Sequence, residues 1–511
     1  VHTPVRLVAV RRGAGFSEGG TLLLDAAAFR RPKLDAISAL SVAEAVARLW
    51  VGGQAAVRGD GGGVVREGLT RFLATLFLEK QFGREAADAE RARERTAYAT
   101  IARRDAPLAR TSPLDPTYYN SAANKGAMFW RLVERALGHD ALMSLLATSI
   151  QKGAGSPEGL TLASMRAALE ERGGAPLKSL LEQALDQPTD MDLMVGLPQQ
   201  KGAQWAVALR NSGSLDAGVT VAATTAAGER LTTQATIPAR SFGEATFATS
   251  ARLTRVEVDP DKLYPQIDYS NDVAPRSAQV EDPLIEATAR FVRQDYAGAE
   301  TAAREMLANS PRMQEARIVL ARSLLAQNKT DEAEKEFRAL VDEKLPIPLA
   351  LAWGNIGLAE VALRKGQGTE AARRFTEAVL TDAEYGSTLA ARLGRMRAES
   401  AASAAPAVDD SAKTFIAQLD AAIKSGRGAD LESLIVPGEL TDFITGIVGS
   451  QPELWQTRVV RTEQLDANHV AADVQLTTKE LGRDASGTAV LILVRSGSGW
   501  KLESIGFFEV R

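Results

Sequence analysis

The apolar periodicity of this chain changes character three times over its 511 residues, which excludes one uniform core and requires several packed regions in series. From residue 1 to about 195 the spacing is mostly helical. Strand-like runs at Val5–Val10 and Thr21–Leu24 precede predicted helices at Val42–Trp50, Val65–Phe82, Ala86–Ala106, Lys125–Leu137 and Leu162–Glu171. Between Gln199 and Val273, runs such as QWAVALRN and GVTVAATT alternate with period two between turn residues, which predicts a small antiparallel β-sandwich. The pattern from Pro283 to Ser400 is helical again and repeats itself. Ala299 and Ala303 recur 34 residues later as Ala333 and Phe337, then 38 later as Ala371 and Phe375. The four extra residues fall around Leu345-Pro346-Ile347-Pro348 and read as a loop insertion. After the low-complexity linker AESAASAAPAVDD (398–410), helices at Ser411–Ser425, Ala429–Ile435 and Glu439–Val448 precede four alternating strands. The expected class is multidomain α+β, with segments 1–195, 196–278, 279–400 and 407–511.

Composition removes whole classes of chemistry. The chain has no Cys, so thiolate metal sites, Cys nucleophiles and disulfides are excluded. Its three histidines, His2, His139 and His469, lie too far apart to share a helical turn. A net charge of −4 gives no reason to expect a nucleic-acid surface. No apolar run approaches the roughly 18 residues needed to span a bilayer. The run Gly59-Asp60-Gly61-Gly62-Gly63 lacks the lysine of a phosphate loop and is expected to be a flexible connection. His469, beside Asn468 at the start of a strand, reads as a turn residue rather than a catalytic one.

The segment Ser41–Phe72 carries the one chemical motif. Trp50 and Gly52 fix one register, Glu67-Gly68 fixes another, and counting back 19 positions from Glu67 reaches Arg48. This pattern resembles the H-E-x-x-H-x-W-x-G and N-E-G segments of the aminopeptidase N family of gluzincin metallopeptidases. The resemblance implies a thermolysin-like, mainly helical domain. It sets Glu44 and Arg48 at the two histidine positions, Ala45 at the general base and Glu67 at the third ligand. A catalytic zinc needs neutral imidazoles and a carboxylate, and a guanidinium has no lone pair to give. Gly15-Phe16-Ser17-Glu18-Gly19 resembles the family's G-x-M-E-N strand, whose Glu binds the substrate amino group; Glu18 matches. Tyr118–Gly126 resembles Y-x-x-x-x-Y-x-K-G, with Tyr118, Lys125 and Gly126 matching but Ala123 at the oxyanion-stabilising tyrosine. Glu18, Tyr118 and Lys125 are therefore the candidates for lining a former substrate cleft. The family's N-terminal β-domain is expected upstream of residue 1.

Glu44 allows two readings. It follows Ser41 by three, the capping-box spacing, and it stands four before Arg48 as a surface pair. The sharper expectation is an ion-paired plug in which the Arg48 guanidinium takes the metal position between Glu44 and Glu67. The internal repeat resembles tetratricopeptide repeats, whose stacked helix pairs present a groove to peptide segments. The C-terminal helices and sheet, ending in WKLESIGFFEV, resemble the nuclear-transport-factor-like cone. These resemblances imply a noncatalytic scaffold for a protein or peptide partner, with no cofactor and no metal. The alternatives are an active zinc aminopeptidase with unusual ligands and ligand binding in the cone. The compartment is left open.

Overall fold

The computed structural model describes residues 4–10, 14–276, 283–402, 407–497 and 499–510. His2, the expected boundary at 278/279 and linker residues 403–406 lie outside the described residues. The chain forms two compact units, residues 1–357 and 358–511. The division falls inside the helix Pro348–Arg364.

The first unit opens on strands β1 (Arg6–Val10), β2 (Ser17–Glu18) and β3 (Thr21–Asp25), in the order β1-β3-β2. Helix α1 (Ala36–Ala47) follows, beginning six residues earlier than the apolar pattern predicts. Its cap is Asp35, whose Oδ1 accepts from the amides of Ile37 and Ser38, each at 3.0 Å. Ser41 is therefore mid-helix, with its hydroxyl donating to Ile37 O at 2.9 Å, and the capping-box reading of Glu44 is overturned. The short strand β4 (Val57–Arg58) pairs with β5 (Leu160–Thr161). Around them stand helices α2 (Thr70–Phe82), α3 (Arg84–Ala99), α4 (Gly126–Leu137), α5 (His139–Ala154) and α6 (Leu162–Asp186). They close over a core that includes Phe72, Phe129, Trp130, Met165 and Leu181. The glycine run at 59–63 is packed rather than loose: a Cβ on Gly61 would come within 2.4 Å of Leu162.

Two antiparallel sheets follow in the same unit. One has the order β10-β9-β12-β13, from β9 (Ala217–Thr225), β10 (Arg230–Ile237), β12 (Leu253–Val258) and β13 (Val273–Ala274). The other is built on β8 (Gln204–Asn211), flanked by β11 (Ser241–Phe247) and β6 (Leu193–Val195), with β7 (Gln199–Lys201) also pairing β8. Val207, Leu209, Val219, Val221, Phe247 and Val256 fill the layer between them, as period-two alternation demands. The unit ends in α7 (Pro283–Val292), α8 (Tyr296–Asn309), α9 (Gln314–Ala326), α10 (Thr330–Asp342) and the start of α11 (Pro348–Arg364).

In the second unit, α12 (Gly368–Thr381) and α13 (Tyr385–Ala401) form a helix pair. Beyond it lie α14 (Asp410–Ser425), α15 (Gly428–Leu434) and α16 (Thr441–Ser450). Strands β14 (Leu454–Gln464), β15 (His469–Glu480), β16 (Arg483–Ser496) and β17 (Gly499–Val510) complete an antiparallel meander. One sheet face is filled by Phe415, Leu419, Trp455, Trp500 and Leu502 against the helices. The other meets α13, where the fully buried Arg395 reaches Asp473 at 2.9 Å and Glu463 at 3.4 Å.

The repeat is visible in how each phenylalanine meets the next helix. A Cβ on Gly357 would lie 2.3 Å from the Phe337 ring, and one on Gly394 would lie 2.2 Å from the Phe375 ring. Large rings need a glycine opposite them for helices to approach this closely. Gly357→Ala gains about 1 kcal/mol of helix propensity. Overpacking at such a contact costs about 1–3 kcal/mol. The expected outcome is a lower Tm for Gly357→Ala in thermal denaturation, partly restored by adding Phe337→Leu; an unchanged Tm in the single variant would count against the close contact.

Candidate functional site

The site is assembled where α1 meets two π-helical turns, Val64–Leu69 and Asn120–Lys125. The first turn meets the start of α4, which continues from the second, with Gly68 against Gly126. A Cβ on Gly68 would lie 2.8 Å from the Gly126 Cα, so only glycine lets the two backbones meet. Wide turns of this kind re-aim side chains within a helix. Here one of them presents Glu67 toward the end of α1.

Arg48, the residue that ends α1, turns its guanidinium onto that carboxylate. Nη2 donates to Glu67 Oε2 at 2.6 Å and Nη1 donates to Ser17 Oγ at 2.6 Å. Both charged side chains are mostly buried, with 16% and 14% exposure. Arg66 flanks the pair, donating to Glu18 Oε2 at 2.5 Å and lying 3.7 Å from Glu67 Oε1. Glu44 does not share Arg48. Its Oε1 accepts from Arg71 Nε at 2.6 Å, while Arg71 also reaches Tyr119 Oη at 2.6 Å and Asn124 Oδ1 at 3.1 Å.

The expected plug is therefore corrected in one member. Arg48 and Glu67 meet, but each carboxylate takes its own arginine, because α2 carries Arg71 within reach of Glu44. Burial weakens the charge of Arg71, yet Glu44, with Tyr119, Glu94 and Glu90 behind it, outweighs that and holds the guanidinium above its ordinary range. Sequence reasoning missed Arg66, Arg71 and Ser17. The available signal was two arginines placed one residue before and four residues after Glu67.

The other candidates are placed as follows. Ala45 is buried among Leu22, Leu24 and Val42. Ala123 is 1% exposed. The Tyr118 ring stands over Gly63, where a Cβ would meet its hydroxyl at 2.8 Å. Burial, then the neighbouring Glu67 charge, raises its phenol. Glu18 remains half exposed but is engaged by Arg66. Lys125 is not in the cleft. Its side chain is 2% exposed, its ammonium is paired with Asp105, and burial lowers its affinity for the proton. The cleft-lining expectation for Lys125 fails because its π turn directs it inward. His469 sits between Asp466 at 2.7 Å and Glu503 at 3.5 Å.

This donor set does not fit a zinc ion. Glu67 is occupied by a permanently charged guanidinium, and Glu44 is turned to another. Among the described residues, no group of three His, Cys, Asp or Glu is arranged to hold a metal.

Comparison with known proteins adds two findings. The sequence profile described as "Tetratricopeptide repeat" matches residues 293–345. The crystal structure of Legionella pneumophila aminopeptidase A in complex with aspartic acid is similar at a TM-score of 0.50 and 14% identity. The similarity covers 84% of this chain and 58% of that one, so the chain spans little more than half of its length. No curated protein matches. The chain combines a peptidase-like fold with tetratricopeptide repeats. Repeats of this kind serve interaction with other proteins, and no helix among the described residues is long and apolar enough to cross a membrane.

Two outcomes are expected. Arg48→Met leaves the mostly buried Glu67 with only the more distant, half-exposed Arg66 as a cation, which should cost about 2 kcal/mol. Adding Glu67→Gln should recover part of the loss in chemical denaturation; equal stability of the single variant and the parent would show that the pair contributes nothing.

The second concerns Glu94, behind Arg71. Burial, reinforced by Glu90, pushes its carboxyl up to about 8 from an ordinary 4.5. A raised folded-state value means that its contribution to stability is full below about 4.5 and is lost as pH rises through about 8. Asp272, pushed to about 8 by burial, acts in the same direction. Glu94→Gln should therefore flatten part of the fall in Tm between pH 5 and 8 relative to the parent protein; an identical pH profile would refute the assignment.

Proposed function

We propose that this chain is a noncatalytic, peptidase-like scaffold that binds protein partners through its helical-repeat groove. The observation that carries the noncatalytic part is the Arg48 guanidinium on Glu67. It places a fixed positive charge, with no lone pair, on the only carboxylate retained from the resembling ligand set. Arg66 also satisfies the half-exposed Glu18, the residue whose family counterpart takes the substrate amino group. The former cleft is thus internally neutralised, and its role in partner binding is secondary to that of the repeats.

The repeat region supports the binding part of the reading. Ile285 and Val292 lie seven residues apart on one face of α7 and are 59% and 74% exposed. Apolar side chains so placed on a helix are available to a partner segment. On the same reading, the region after residue 406 is a cone-like module whose helices and sheet pack around Phe415, Trp455 and Trp500.

The reading is tested on purified full chain. Aminoacyl-anilide hydrolysis with and without added zinc is expected to match buffer, and elemental analysis is expected to find no stoichiometric metal. Zinc-dependent turnover would establish the opposing view, an aminopeptidase with unusual ligands. Crosslinking and capture from cell extract should return protein partners that an Ile285→Asp/Val292→Asp variant loses several-fold with its circular dichroism unchanged. Equal capture by that variant would move the interaction away from the first repeat.

A further inference from the structure

The four residues by which the third helix pair departs from the 34-residue spacing form a built contact with the peptidase-like region, inside the first unit. Leu345 is 5% exposed and sits among Ala36, Ala39 and Leu40 of α1 and Ala74 and Leu78 of α2, with Ile347 packed beside it. The connection is preorganised. Pro346 and Pro348 fix two backbone angles, and the Gln314 side chain clasps the segment from α9. Its Nε2 donates to Leu345 O at 3.2 Å and its Oε1 accepts from Ile347 N at 2.9 Å.

Polar groups close the contact from both sides. Pro346 O accepts from Ala36 N at 2.9 Å, satisfying one of the free amides at the start of α1. The Lys33 ammonium, just before α1, donates to Val341 O at 2.8 Å and Glu343 O at 2.7 Å. Those carbonyls end α10, where the helix dipole favours a cation. Arg312, between α8 and α9, bridges Glu343 and Glu85 at the start of α3, the latter at 2.6 Å.

We propose that the Leu345–Pro348 segment is an anchor that makes the repeat helices up to α10 and the peptidase-like region one cooperative unit, through the N-terminus of α1. Helix α1 carries Glu44 and ends at Arg48, so whatever strains or steadies α10 acts on the helix that presents the arginine plug. This does not depend on what the repeat groove binds. An insertion serving only as a longer connection has no use for a buried leucine, a side-chain clasp and a lysine donating across 308 and 310 positions of sequence.

The test is amide hydrogen exchange on the full chain and two variants. Leu345→Ser removes the apolar plug, and Lys33→Met removes only the two hydrogen bonds of the Lys33 ammonium to the end of α10. In both, amides of α1 (36–47) and of α10 (330–342) should exchange faster together, by about tenfold or more, with the overall circular dichroism kept. Faster exchange confined to 330–348, with α1 unchanged, would overturn the anchor, and so would unchanged exchange in both variants. If Leu345→Ser does not fold, Lys33→Met decides by the same criterion: joint loss in α1 and α10 supports the anchor, and loss in one alone or in neither rejects it.

Discussion

The Arg48–Glu67 ion pair is the contact that ties α1 to the first π turn and, through Ser17, to the N-terminal sheet. A carboxylate that is 14% exposed needs either a cation or a proton, and the chain provides the cation from the last residue of a neighbouring helix. This choice propagates. Arg48 also holds Ser17, which ties α1 to the edge of the three-stranded sheet, and Arg66 extends the chain of charges to Glu18. Arg71 repeats the solution for Glu44, and behind it stands Glu94, whose raised carboxyl registers how little water reaches this layer. Sheet edge, α1, the first π turn, α2 and α3 are thus joined by paired charges as well as by apolar contact, and the second π turn joins them through the Asn124 amide.

Such a network has a structural consequence that differs from that of a metal. A zinc ion binds several ligands to one point and leaves an open position, whereas here three guanidinia and four carboxylates are paired at separate points, with Glu67 shared by Arg48 and Arg66. The result is a surface closed by its own side chains. On the proposed reading, the peptidase-like fold serves as a rigid body on which the repeats are presented, and the anchor at Leu345 gives that presentation a fixed point.

Much of the architecture is legible in the sequence. The alternation from Gln199 to Val273 announced two thin β layers, because side chains on a strand can reach a core on only one face. The spacing of Ala333, Phe337, Ala371 and Phe375 announced helix pairs, because a large ring and a small residue must recur where helices cross. The start of α1 was misread, since Asp35 caps it through contacts that the later, stronger apolar pattern concealed. Counting 19 residues from Glu67 to Arg48 identified the pair correctly. Counting four from Glu44 to Arg48 did not, because helical adjacency says nothing about a competing cation from another helix.

The sequence by itself determined the kinds of elements, their order, the absence of thiol chemistry and the identities of the charges at residues 44, 48 and 67. Those follow from composition and from periodicities that are local along the chain. The tertiary structure alone decided which arginine each glutamate takes, that Lys125 turns inward to Asp105, and that an apparent loop insertion is a buried anchor. These depend on distances between residues tens to hundreds of positions apart, set by close approaches such as Gly68 against Gly126, and a linear pattern does not encode which side chain is nearest when several carry the right charge.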